Sequence, residues 1–547
     1  MSRTDKFNLA CLFLVSAIFQ VFFFYSVRLS FECDSLAYYN SALGYFSGNP
    51  SLVSPYRGPI YAIALKLFGV IDFGWVYPLI LVQAFLGAIL PVLVFLILRD
   101  FGKIKAYVGY SLFVLSSISF TAAKLILAEQ FFLTFIIVSV FFLQKFLTDL
   151  SASNLKKFIW FASLASLTRW EGLALVFGSL IVFALISFKN VKFRKRFYSS
   201  LILFSIIFGG YAGLRAMFYD DIKMFGLQNG TGTQWLWRQY ASQGQIPGTS
   251  TSKYDVLSGT ETPHFKGDIN QATGAYSRSH IQNVFQETVN YVMINDNEFD
   301  ELRKTAADNK NLNTEVVQKL EKNPLNVKYL INEAWKVPSV SGSHITFLMS
   351  RAILQKHGLV DGDKILQRAA LDILMSETEA RKVVVRDAMQ LIGLGKFTLK
   401  ERIQWYEGPE LNIGGCLNAT LNKNFIKNHN DIYKFYNSTL HDYASQSRNL
   451  IRAVFPFLFI ASLIQIVAYR RVHLLFLILV LSTLVNITIV SLTGGGSYNK
   501  YDLSIFSYLI IGLLSGFSKK LPHFTIDGKG RDLKIQSKTK QKKNQQS

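Results

Sequence analysis

Carboxylates and cations stand where this chain leaves its apolar runs. Asp34 follows the first run, Lys124 and Glu129 flank the gap between the third and fourth, Arg169 and Glu171 share a later turn, and Lys500 and Asp502 precede the last. A carboxylate so placed can take a proton from a hydroxyl, and a guanidinium or ammonium can pair with an anion. Ionised groups beside apolar segments are costly, so clusters of them are read as functional by default. Taken singly, each also fits an interfacial side chain reaching for water. Four turns on one side of a membrane could bring these groups into one polar site.

The elements that must position them follow from composition. Half of the 547 residues are hydrophobic, 46 are Phe, and the mean hydropathy is positive, which defines an all-α polytopic membrane protein rather than a soluble core. The run Leu9 to Tyr25 is long enough to cross a bilayer; it exceeds a signal-peptide core and no small-residue cleavage site precedes Glu32, so it is expected to remain as an anchor. The chain then enters a tyrosine-rich loop, Phe31-Glu32-Cys33-Asp34-Ser35-Leu36-Ala37-Tyr38-Tyr39, continues through Pro55-Tyr56-Arg57-Gly58-Pro59-Ile60-Tyr61, and returns by an amphipathic segment from Ile60 to Phe68. About ten spans are expected, at residues 8–28, 76–98, 104–120, 125–147, 157–169, 172–188, 198–218, 449–469, 473–493 and 502–518. The pair 157–169 and 172–188 is short and could form a hairpin that penetrates only in part.

These spans divide the chain into an N-terminal membrane module, 1–218, with its first outer loop at 29–75, and a C-terminal module, 449–518. Between them, 219–448 is polar and expected to be a large, mainly helical extracytoplasmic domain: Ile365, Ala369, Ile373 and Leu374 recur at helix spacing, as do Val384, Ala388, Leu391 and Ile392. The segment 519–547 reads as a basic, disordered cytoplasmic tail.

The formal charge of +22 could suggest nucleic acid, but its distribution has a simpler cause. Arg99 with Lys103 and Lys105, Lys156 with Lys157, Lys189 to Arg196, Arg470 with Arg471, and the tail from Lys519 all fall on one side if the N-terminus is cytoplasmic, as the positive-inside rule requires. Both termini are therefore expected inside, the large domain outside, and no nucleic-acid partner. Of three cysteines, Cys11 lies in the first span, while Cys33 and Cys416 are outside. Tripeptides of glycosylation type at Asn229, Asn418 and Asn437 are also outside and do not separate a bacterial from a eukaryotic source.

The turn residues resemble those of the GT-C glycosyltransferases, the polyprenyl-phosphate-sugar users related to protein mannosyltransferases. That group pairs an acidic residue in the first outer loop with a second at the next outer turn, matched by Asp34 and by Leu127-Ala128-Glu129-Gln130. Leu167-Thr168-Arg169-Trp170-Glu171-Gly172 is similar to the group's Arg-Pro-Glu-Gly turn, with Trp170 in place of proline, and Tyr498-Asn499-Lys500-Tyr501 looks like its Arg-Tyr entry to the final span. The matches cover the first 190 residues and the last fifty, and the outer domain matches no module of the group.

The resemblance implies an inverting transfer of a sugar from a polyprenyl-phosphate donor to a hydroxyl on a surface glycan, glycolipid or protein. Asp34 is then the candidate base, Glu129 a second catalytic carboxylate that orients the acceptor or holds a cation such as Lys124, and Arg57, Arg169 and Lys500 candidates for the phosphate, with Glu171 beside them. Tyr38, Tyr39 and Tyr61 could stack on a sugar, although Tyr61 is expected to belong to an interfacial aromatic belt. Glu32, Asp34 and Glu129 could hold a hard divalent ion, but the scattered histidines show no ligand spacing and no metal is expected. A bacterial cell membrane is the expected location, or the endoplasmic reticulum in a eukaryote. The alternative is a transporter or flippase, which would show repeated halves and polar groups at the bilayer midplane; no repeat is evident and the charges lie at the rim.

Overall fold

The computed structural model describes residues 3–26, 33–49, 53–54, 57–188, 191–218, 437–469, 471–493, 498–516 and 523–525, with isolated positions between 363 and 389. The expected outer domain and tail thus lie almost wholly outside the described residues. Apolar segments in lipid must pair their own amides, and the described chain is accordingly helical. In order it forms α1 (Arg3–Phe24), α2 (Cys33–Ser47), α3 (Pro59–Leu67), a short α4 (Val70–Phe73), α5 (Val76–Arg99), α6 (Lys103–Leu115), α7 (Ile118–Thr121) running into a 3-10 turn at Ala122–Lys124, α8 (Glu129–Asp149), α9 (Ala152–Thr168), a 3-10 turn at Trp170–Gly172, α10 (Leu173–Ser187) and α11 (Val191–Phe218). After the gap come α12 (Ser438–Tyr469), β1 (Arg471–His473), α13 (Leu474–Thr493), α14 (Tyr498–Leu514) and β2 (His523–Thr525); the two strands pair antiparallel with Val472 opposite Phe524.

Six of these helices are long and apolar enough to cross a membrane, and seven if α6 and α7 count as one bent crossing; Leu474–Val490 and Ser504–Leu514 are shorter apolar helices. The core forms around α14, whose described side chains from Ser504 to Leu514 are all buried. It packs along α13, which in turn lies along α10, while α8 runs beside α9 and α5 touches α1, α6 and α8. Small residues permit the closest of these approaches: a Cβ on Gly178 of α10 would stand 2.2 Å from Ser482 Oγ of α13. Leu14 on α1, Ile206 on α11 and Val467 on α12 point outward, as on lipid-facing helices.

Cross-helix contacts define the two ends of the bundle. At one end Lys105 of α6 reaches Gln465 of α12 at 3.2 Å, and Phe101 packs on His473 with ring centroids 4.6 Å apart. At the other, the amide of Asn437 donates to Tyr25 O at 2.7 Å and Lys124 lies over Phe24, while Glu129 meets Arg169. The basic clusters around Arg99 and Lys103 are at the first end and the acidic turn residues at the second.

Three boundaries differ from the sequence expectation. The span expected at 104–120 breaks at Ser116–Ser117, where Ser117 takes the left-handed conformation (φ 56°) and α7 turns by 43° from α6. Hydropathy is apolar on both sides and cannot register the break; serine hydroxyls, here Ser116 Oγ donating to Phe113 O at 2.7 Å, compete with the helical ladder. The next span begins at Glu129 rather than 125, because Leu125–Ala128 lies outside the helix. The helix expected at 449 begins at Ser438, where Asn437 Oδ1 accepts from the amide of Leu440 at 3.2 Å, so this asparagine caps a helix.

Candidate active site

Arg169 ends α9 with an extended backbone (φ −146°, ψ 134°), and the following 3-10 turn brings Glu171 back beside it. The guanidinium donates through Nη2 to Glu171 Oε1 at 2.7 Å and through Nε to Glu171 Oε2 at 3.4 Å, while Nη1 donates to Oε1 of Glu129, the first residue of α8. The side chains are 6%, 2% and 1% exposed respectively, so this is a buried ion triad rather than a surface pairing. Two carboxylates around one guanidinium leave one net negative charge. Burial alone would lower the basicity of Arg169, but Glu171 and Glu129 hold it well above its ordinary value, making it a fixed cation. Its Cζ lies 5.8 Å from the centre of the Phe132 ring, and Glu129 Oε2 accepts no hydrogen bond among the described residues.

The first loop is fitted onto this triad. A Cβ on Gly58 would stand 1.9 Å from Leu167 O and 3.0 Å from Thr168 O, so only glycine lets the chain lie against the end of α9 just before Arg169. Gly58 also precedes α3, with Pro59 in its first position, which turns Tyr61 inward. Tyr61 is fully buried instead of joining an interfacial belt: its ring meets Tyr38 edge-on at 5.1 Å, and its hydroxyl donates to Gln83 Oε1 at 3.4 Å. Burial, then the nearby Glu129 and Tyr38, push the Tyr61 phenol well above its usual range, so it stays a donor. Gln83 in turn donates to Ala123 O at 2.8 Å and Leu125 O at 3.1 Å, fixing the stretch that leads to Glu129.

The other sequence-derived candidates fall as follows. Arg57 is half-buried with its guanidinium 5.6 Å from the centre of the buried Tyr38 ring, and Tyr39 packs partly buried against the same cluster. Lys124 is buried with its ammonium 4.3 Å from the Phe24 ring and 5.7 Å from Tyr25, at the end of α1; the ion pair of Glu129 is with Arg169. Asp34 is in the first turn of α2, one turn before Tyr38, and Lys500 and Asp502 are in the first turns of α14; these three side chains lie outside the described residues. Among the described residues no group of three or more His, Cys, Asp or Glu could hold a metal ion.

Sequence reasoning missed a further set of buried charges. Arg448 and Arg452 on α12 and Arg215 on α11 are each less than one-tenth exposed, and His441 is buried with Nδ1 3.0 Å from Ser26 O. The signal was legible: His441, Ala444, Arg448, Ile451 and Phe455 recur at spacings of three and four, one stripe of a helix. Placing the helix start at 449 cut that stripe in two. Lys124, Glu129, Arg169 and Glu171 are buried at the end of the bundle that carries the triad, while Arg448 and Arg452 are buried further along α12.

Fold and site define a polytopic helical membrane protein with an ion-paired polar site at one end of its bundle. No protein-family profile and no curated protein matches the chain. Among solved structures it is similar to ArnT from Cupriavidus metallidurans in the apo state, at 12% identity and a TM-score of 0.31, over 93% of this chain and 77% of that one. It is also similar to the same protein bound to undecaprenyl phosphate, at 12% identity and a TM-score of 0.32, over 94% and 77%. Likeness at that distance says nothing of this chain's activity.

Proposed function

We propose that the protein is an integral-membrane glycosyltransferase that moves a sugar from a polyprenyl phosphate to a hydroxyl acceptor, with inversion, on the extracytoplasmic face. The observation that carries this reading is the meeting of three separate turns, at Arg57–Gly58, Glu129 and Arg169–Glu171, in one charged site at the rim of an apolar bundle. A lipid-linked donor would have its tail among the helices and its phosphate at that rim. The basic clusters at the opposite end favour that end as cytoplasmic, which turns the site outward.

In the proposed reaction Asp34 takes the proton of the acceptor hydroxyl as its oxygen bonds to the anomeric carbon, and the bond from that carbon to the phosphate oxygen breaks with its electrons leaving on the polyprenyl phosphate. Arg57, close to the rim, and Lys500, at the entry of α14, are the groups proposed to meet the developing phosphate charge. Arg169 has a different task in this scheme: three of its five N–H groups are directed at Glu171 and Glu129, so it is proposed to anchor the carboxylates. That leaves Glu129 Oε2 as the acceptor atom proposed to orient a sugar or acceptor hydroxyl, with the Tyr38–Tyr61 pair as the wall beneath it.

The test is release of labelled sugar from polyprenyl-phosphate-linked glucose, mannose and arabinose by the purified protein in liposomes. Turnover by the native chain, reduced by roughly 100-fold or more in Asp34→Asn, is expected for a general base. Equal activity in both proteins, or none in either, counts against the assignment.

A further inference from the structure

A fully buried arginine of α12 that the reaction scheme does not use stands against the break between α6 and α7. We propose that Arg448 is a positioning residue: its guanidinium bridges the two sides of the break at Ser116–Ser117 and thereby sets where the turn carrying Lys124 and Glu129 stands. The inference rests on the site reading above, because it concerns how Glu129 is held.

The break makes such a brace necessary. Where α6 stops, the carbonyl of Ser116 loses its place in the helical ladder, and an unpaired buried carbonyl is costly. Arg448 Nε donates to Ser116 O at 3.5 Å, and its Nη2 donates to Thr121 Oγ1 at 2.9 Å, so a single rigid fork holds a group on each side of the bend. Ser117, the residue in the left-handed conformation, donates through Oγ to Ala444 O at 3.2 Å, one turn earlier on α12. Nearer the start of that helix, Asn437 and His441 bond to the carbonyls of Tyr25 and Ser26, just ahead of the loop that carries Asp34. One helix thus braces both chain segments that lead into the site. From Thr121 the chain runs through a single 3-10 turn to Lys124 and then, held by Gln83 at Ala123 and Leu125, to Glu129. A shift at the break is therefore delivered to Glu129 with little slack.

A misplacement of a positioned group by about 1 Å can cost up to roughly 100-fold in turnover. Arg448→Met in the full-length protein is expected to lower kcat for the labelled donor by about tenfold or more while KM changes less than about twofold, since the groups proposed for the phosphate are elsewhere. Arg448→Lys, which can reach one acceptor but not fork to both, should recover part of the loss. Thr121→Val keeps the volume and removes one acceptor, so it carries the test if the methionine variant does not fold. Hydrogen exchange of the amides from 116 to 129 is a readout independent of substrate, and it should quicken in Arg448→Lys and Thr121→Val. Glu129→Gln separates the two ideas: native turnover in that variant sinks the site reading. If Glu129→Gln is impaired while Arg448→Met or Thr121→Val keeps native kcat, or if exchange over 116–129 is unchanged in Arg448→Lys, the brace is refuted by itself.

Discussion

Replacing Arg169 by methionine would leave Glu129 and Glu171, at 1% and 2% exposure, facing each other without the cation between them. Two short charge-assisted hydrogen bonds disappear, each worth about 1.5–3 kcal/mol, for a total of about 3–6 kcal/mol. Removing one partner from a buried ion pair costs about 3–5 kcal/mol by an independent route, because the charge left behind is stranded. Both figures place the loss near 4 kcal/mol, roughly a thousandfold in the folding equilibrium. The contrast with neutralising the whole group is what isolates the mechanism. Arg169→Met combined with Glu129→Gln and Glu171→Gln removes every charge at similar volume, and swaps of that kind are often close to neutral. Unfolding of the native, single and triple variants by denaturant in mixed micelles, followed by tryptophan fluorescence, should rank the single variant as the least stable. A single variant that loses no more stability than the triple would refute the claim that the triad is held together as ions.

Two further outcomes follow from the packing around the triad. Gly58→Ala places a methyl 1.9 Å from Leu167 O, so the loop must move off α9; overpacking of this kind costs about 1–3 kcal/mol, and donor turnover should fall with the thermal midpoint. Tyr38→Ala removes the ring that lies against Tyr61 and under Arg57 and should lose about 3–5 kcal/mol, measured in the same unfolding assay.

The fold class and the position of the charges were open to sequence reasoning for a physical reason: ionised groups are excluded from lipid, so hydropathy marks both the helices and the turns where charges collect. That logic set Glu129, Arg169 and Glu171 at neighbouring turns, and the structure brings the three side chains into contact. It could not say that Arg169 would pair with both Glu129 and Glu171, because ion pairing between turns depends on rotamers and on how α8 lies beside α9. Tyr61 is buried where the sequence suggests an interfacial belt, since a tyrosine near a membrane interface has the same composition signal whether it faces water or a protein core. The break at Ser117 was invisible to a hydropathy window that averages over apolar flanks, and with it the task of Arg448. Arg448 itself was assigned to the outer domain because a charged helix start lowers the local average, although its spacing from His441 and Phe455 was already helical. Asp34 and Lys500, central to the proposed chemistry, have side chains outside the described residues, so their part in it rests on the sequence and on their helices.

The most direct measurement is an experimental map of the protein in a lipid nanodisc with bound undecaprenyl phosphate. The account predicts phosphate density at the rim beside Arg57 and the start of α14, within reach of the loop that carries Asp34, with Arg169 still clasped by Glu129 and Glu171. Phosphate bound at the opposite end of the bundle, near Lys105 and His473, or an Arg169 that releases both carboxylates to hold it, would contradict the account.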